Sequence, residues 1–195
     1  ATLPKLSKAD LPTKNRIVPV EKQKVSGIDV YTHPIFTSGI VYIDIGFDFS
    51  AIPDEHLQFL PLLSELLTRC GSAGLTYQQM STRISLATGG IGESLVVDTK
   101  AAPAGEMLLM DFFHGKALEE RVPELIGIFS DLFLRPNLED AKQIRDILFE
   151  MRNDLHSSII GSGHAFAMTH AASRLHASSA IDERIDGISQ LRFLD

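Results

Sequence analysis

Seven histidines are the residues in this chain best suited to metal or acid–base chemistry: His33, His56, His114, His156, His164, His170 and His176. A zinc pair on a helix needs histidines at i and i+4, so that both rings share one face. No two of the seven stand four apart. His164, His170 and His176 recur every six residues. Six residues turn a helix through about 600°, so three such rings point to three different sides. They read as surface or capping residues.

Nucleophiles are no better marked. There is no G-x-S-x-G elbow of the kind that exposes a serine on a strand-to-helix turn. Gly161-Ser162-Gly163-His164 sets a serine near a histidine. Such close neighbours seldom aim at each other from a helix start, and Ser162 reads as part of a turn. Cys70 follows Arg69, whose charge would lower a thiol pKa. At a helix end it reads instead as a small apolar residue. Gly89-Gly90-Ile91-Gly92 is glycine-rich, but it follows an expected helix and precedes an expected strand. A phosphate cradle needs the reverse order. The acidic pairs Glu119-Glu120, Glu139-Asp140 and Asp182-Glu183 sit at or near expected helix starts, where carboxylates complement the helix dipole.

The elements that would position these residues are legible in the pattern. Residues 1–19 contain Pro4, Pro12 and Pro19 with interleaved charge, which reads as an extended lead-in or linker. Residues 20–195 read as a single domain. Val25 to Thr32 reads as one short strand, with Ser26-Gly27 as a turn signal. From Ile40 to Phe49, Val41, Ile43, Ile45, Phe47 and Phe49 alternate with Tyr42, Asp44, Gly46 and Asp48. That alternation predicts a strand with one buried face. Pro53-Asp54 opens a helix with Asp54 as its N-cap. Its apolar stripe is Leu57, Leu60, Leu63 or Ser64, and Leu67, with Pro61 as an alternative start and Gly71 as the stop. Thr76 and Gln79 have capping-box spacing, ahead of Tyr77, Met80, Ile84 and Ala87. Residues 91–99 and 106–115 predict a hairpin. Val122, Leu125, Ile126, Phe129 and Phe133 mark a helix ending before Arg135-Pro136. Asn137 caps a long helix that Gly161-Ser162-Gly163 breaks. Another helix runs from about His164 to Leu175, and short helical turns follow. Adjacent strand pairs with intervening helices predict an α+β fold, with a largely antiparallel sheet and helices packed on one face.

Composition bounds the function. The chain has 195 residues, 44% hydrophobic and 22% charged, ordinary for a globular domain with a real core. Net charge is −7, so a broad basic face for nucleic acid is not expected. Lys5, Lys8, Lys14, Arg16, Lys22 and Lys24 cluster at the start and read as a solvated arm. No apolar run approaches the roughly 18 residues of a membrane span, and the start lacks the apolar core of a signal peptide. Ala1 stands where an initiator Met would, which reads as a processing boundary. A lone cysteine fits a reducing compartment, such as a bacterial cytoplasm or an organelle matrix.

Four stretches then carry a resemblance: Thr37-Ser38-Gly39-Ile40-Val41-Tyr42-Ile43-Asp44, the run LLTRCGSAGLTY from Leu66 to Tyr77, Thr88-Gly89-Gly90-Ile91, and Gly161-Ser162-Gly163-His164. With Leu3-Pro4-Lys5-Leu6 and Asp10-Leu11-Pro12, they resemble the pitrilysin/insulinase family of zinc metallopeptidases, in its presequence-protease and falcilysin branch. The resemblance covers nearly the whole chain. It implies a protein of four similar α+β domains in two halves, closing around a chamber for unfolded peptide. The first domain of such enzymes carries zinc on an H-x-x-E-H helix; this chain is similar to the third. Laid on Cys70-Gly71-Ser72, the motif falls at Leu62-Leu63-Ser64-Glu65-Leu66. Leu62 and Leu66 take the histidine positions and only Glu65 matches.

The resemblance therefore implies no catalytic and no metal residues in this chain, with zinc elsewhere in the parent protein. Its partners would be the parent's other domains and unfolded peptide, not nucleic acid or membrane. Gly161, Ser162, Gly163 and His164 form a candidate turn facing the chamber. A sheet edge could take extended peptide by strand addition, though the sequence does not say which. The alternative is an inactive scaffold or assembly module of the same superfamily. A third reading is a small independent hydrolase using His164 or Cys70.

Overall fold

In the computed structural model, which describes residues 7, 10, 17–101 and 105–195, Ser26 and Gly27 both adopt positive φ, 50° and 88°. A two-residue loop of that kind matches the right-handed twist of paired strands. It therefore splits the expected strand of Val25 to Thr32 into two, β1 (Glu21–Val25) and β2 (Ile28–Thr32), with Val25 opposite Ile28. Lys22, expected on a solvated arm, sits on β1 and pairs with Asp29 at 2.9 Å. Of the expected lead-in, Leu3–Leu6, Pro4, Leu11, Pro12 and the basic residues before Ile17 lie outside the described residues. The hairpin belongs to a first unit, Ala1–Gly39, and the rest of the chain to a second, Ile40–Asp195.

The second unit is built on a three-stranded antiparallel sheet of β3 (Ile40–Asp48), β4 (Ile91–Thr99) and β5 (Met107–Leu118), in the order β3-β5-β4. β4 and β5 form the expected hairpin; β3 pairs with the far side of β5, Ile40 opposite Leu118 and Asp48 opposite Met110. On β5, burial alternates: Leu109, Asp111, Phe113, Gly115 and Ala117 are buried, and their neighbours face outward. Helices cover that buried face. The fold is α+β, as the pattern of strand pairs and helices predicts.

Six α-helices are present among the described residues: α1 (Leu60–Arg69), α2 (Tyr77–Ala87), α3 (Val122–Leu134), α4 (Ala141–Ala172), α5 (Ala177–Ile185) and α6 (Ile188–Leu194). A 3-10 turn over Asp54–Phe59 precedes α1, and Asp54 makes no side-chain cap there. The long helix begins at the alternative start, with Pro61 in its first turn, where a missing N–H donor costs nothing. The stripe is resolved in favour of Ser64, which is fully buried, while Leu63 is 42% exposed. Thr76 and Gln79 form the expected capping box at α2, each side chain bonding the other's backbone N–H.

α3 lies against the sheet, with Leu125 and Phe129 packed on Phe113 and Ala117. Gly115 permits that approach, since a Cβ there would come within 2.8 Å of both side chains. α4 differs from expectation at its cap. Asp140, not Asn137, caps it, by accepting from the Gln143 N–H at 3.0 Å. Gly161-Ser162-Gly163 interrupts it as expected: Ser162 leaves helical geometry (φ −123°, ψ 22°), and two helical segments meet there at a kink, the second running past His164 to Ala172. Two glycines cost about 2 kcal/mol of helix propensity relative to alanine. Leu155, buried earlier on the same helix, and the packing of α4 against α5 and α6 oppose that cost.

Candidate functional site

The face of α1 that carries Leu62 and Leu66 is packed with hydrocarbon. Leu62 and Leu66 are four apart and so share one side of the helix. They pack with Cys70 against Ile147, flanked by Ile144 and Met151 of α4. Leucine offers no electron pair to a metal, so these positions do not fit zinc. Glu65 lies on the flank and accepts from Arg69 Nη1 at 3.2 Å, while Arg69 Nη2 donates to Glu150 of α4 at 2.6 Å. Its role here is to tie α1 to α4. No group of three or more His, Cys, Asp or Glu side chains able to hold a metal occurs among the described residues.

Two other candidates have structural duties. Cys70 is 1% exposed, and burial pushes its thiol pKa up, with Asp140 adding to the rise and Arg69 opposing it. That environment suits a packed apolar residue, not a nucleophile. The pair Asp182-Glu183 does not begin a helix; it lies inside α5. Glu183 is nevertheless buried at the start of the next helix, where its Oε1 accepts from Ser189 N and Oγ at 3.2 Å and from His170 Nδ1 at 2.9 Å. His176 precedes α5 without a side-chain cap bond. His164 stands on α4 and is exposed.

A cavity of about 740 Å³ runs along the free edge of β4. Glu93, Ser94 and Leu95 line it on the strand side, and Ser162, Phe166 and Asp182 on the helix side. The kinked segment of α4 thus contributes Ser162 to this wall. Beneath the sheet, burial raises the Glu93 carboxyl pKa, and the nearby charges of Glu65 and Asp111 raise it further. Asp111, 5% exposed, lies 2.6 Å from Ser64 Oγ, which also lies 3.0 Å from the Leu60 carbonyl. Burial raises the Asp111 pKa as well.

The opposite, open face of the sheet carries a line of polar groups that residue spacing alone did not reveal. His114 of β5 is directly opposite Asp44 of β3, and its ring Nδ1 lies 2.8 Å from Asp44 Oδ1. Its Nε2 lies 2.7 Å from Ser94 Oγ on β4. His114 is 70 positions from Asp44 and 20 from Ser94. Strand register brings them together, and the one sequence signal is that Asp44 falls on the polar side of the β3 alternation.

Comparison with known proteins places the chain. Residues 1–195 match the family described as peptidase M-16C associated. The mitochondrial presequence protease of Danio rerio is 29% identical over 194 residues, covering 98% of this chain and 19% of that protein. Protein HypA of Clostridium perfringens is 27% identical over 193 residues, covering 99% of this chain and 20% of that protein. A solved protease from Helicobacter pylori aligns with a TM-score of 0.47 at 12% identity, over 74% of this chain and 32% of that one. The chain thus spans about a fifth of the length of the curated relatives it matches. Because the family match runs from the first residue to the last, the chain belongs to the peptidase M-16C associated family.

Proposed function

We propose that this chain is a non-catalytic domain of a zinc endopeptidase that degrades unfolded peptides, and that it forms part of the wall of the substrate chamber. The observation that carries the reading is the α1 face. If the family's motif is laid on α1, Leu62 and Leu66 take the ligand positions, and both pack on α4. In this reading the metal, which supplies a Lewis acid to the parent, is held elsewhere. The domain contributes enclosure and peptide contacts, and its partners are the parent's other domains and the peptide.

The β4 edge supports the peptide contact. It is the outer strand on one side of the sheet, and an unpaired strand edge offers backbone N–H and C=O groups to an extended chain. The cavity beside it gives side chains of such a peptide room. Gly161, Ser162, Gly163 and His164 then form the turn that faces the peptide. Exposed Ile160 and Met168 on α4 support packing against another domain. No nucleic acid or membrane enters the reading: net charge is −7, and no helix among the described residues is long and apolar enough to cross a membrane.

The test is photo-crosslinking in the full-length protein. A photoreactive residue at Ser162, on the cavity wall, is expected to capture an unfolded peptide substrate. The same residue at Leu86, 79% exposed on α2, is expected not to. Equal capture at the two positions, or none at Ser162, would overturn the chamber-wall role.

A further inference from the structure

Asp44, His114 and Ser94 form a relay across three adjacent strands that the wall role does not require. A carboxylate only accepts hydrogen bonds, so the 2.8 Å contact to Asp44 Oδ1 places a proton on His114 Nδ1. Nε2 of the neutral ring then holds a free lone pair, and the Ser94 hydroxyl donates to it at 2.7 Å. A hydroxyl held by a base, with the base held in turn by a carboxylate, is the arrangement that activates a serine on unrelated folds. The relay is reachable: Ser94 is half-buried, and the Asp44 and His114 side chains are 60% and 44% exposed. Both line a recess of about 400 Å³ on the open face of the sheet, together with Tyr42, Gly92 and Lys116. Phe112 stands directly opposite Ser94 in the strand register, and its ring stacks on that of His114. An apolar surface therefore borders the hydroxyl.

We propose that Ser94 is an activated nucleophile and that this face hydrolyses small carboxylic esters, an activity separate from the peptide cleavage in which the domain takes no catalytic part. His114 is the general base and Asp44 the positioning residue that fixes its tautomer. The acyl chain lies against Phe112, and the alcohol portion lies in the recess beside Tyr42. Ser94 Oγ bonds to the ester carbonyl carbon while its proton passes to His114 Nε2. The bond to the alcohol oxygen breaks, and the alcohol leaves with that proton. Water then repeats the sequence on the acyl-serine, releasing the carboxylic acid and restoring both side chains.

The experiment uses the full-length protein with a zinc chelator present, so that peptidase activity does not contribute. A fluorophosphonate probe is expected to form an Oγ–P bond at Ser94 with loss of fluoride, located by peptide mapping. The adduct is absent in Ser94→Ala and forms about 100-fold more slowly in His114→Ala, the usual scale of general-base assistance. With p-nitrophenyl acetate, Asp44→Asn lowers kcat and leaves KM unchanged, since the carboxylate acts on the base and not on the substrate. Thermal melts establish that each variant is folded. The proposal is overturned if the folded protein gives no adduct at Ser94, or if His114→Ala reacts as fast as the parent protein.

Discussion

Ser64 has one proton and two acceptors in reach, the Leu60 carbonyl and the Asp111 carboxyl. If Asp111 is neutral, its own hydroxyl donates to Ser64 Oγ, and Ser64 donates to Leu60, so each donor has an acceptor. If Asp111 is charged, one bond is lost and Oδ1, which has no partner, carries charge in the core. Burial raises the pKa above the ordinary 3.8 for the same reason. A raised folded value means that stability from this group is full below about 3.8 and is lost as pH rises through the folded value. Asp111→Asn keeps the shape and stays neutral throughout. Urea unfolding at pH 8 is therefore expected to show Asp111→Asn more stable than the parent by about 1 kcal/mol. The gap should close near pH 4; an equal gap at both pH values would contradict the neutral-acid arrangement.

At the scale of elements, α1 and α4 are joined by two different kinds of contact. The apolar seam of Leu62, Leu66, Cys70 and Ile147 is buried, whereas the Glu65–Arg69–Glu150 chain is partly exposed. Burial favours the seam as the stronger term. Leu66→Ala is expected to cost about 2–4 kcal/mol, and Glu65→Gln under about 1 kcal/mol; denaturant midpoints compare them. A larger loss from Glu65→Gln would show that charge, not packing, fixes α4 on α1. The same elements show what residue order could disclose. Alternation from Ile40 and the Thr76–Gln79 spacing are local signals, and both elements formed where expected. The kink in α4 at Gly161-Ser162-Gly163 was legible from its two glycines, but the cap of that helix was not, because Asn137 and Asp140 can both accept from a helix N-terminus. Asp44, Ser94 and His114 were equally hidden: their proximity depends on which strands pair and in which register. That Leu62 and Leu66 share one face of α1 was legible, because their spacing is local to a single helix.

At the scale of the whole molecule, several large apolar side chains stand in solvent. Ile160 is 90% exposed, Leu175 76% and Met168 68%. Their exposure means they contribute little to the stability of the unit that carries them. Ile160→Asp is therefore expected to change unfolding free energy by less than about 0.5 kcal/mol. In the proposed parent protein the same change should weaken packing between domains, read as faster limited proteolysis between them. A large loss of stability in the isolated chain would place Ile160 in the core instead.

The position of β5 in the middle of the sheet also governs the timing of synthesis. β3 ends at Asp48, yet every one of its partners lies between Met110 and Leu118. A ribosome adding about 5–20 residues per second leaves β3 without its neighbour for several seconds. The β4–β5 hairpin, local in the chain, completes first and offers a template. Throughout that interval Ile43, Ile45 and Phe47 are open to the wrong strand, including one from a second nascent chain. Slowing translation between β3 and β5 would thus favour aggregation, and chaperone capture would be most needed over that stretch.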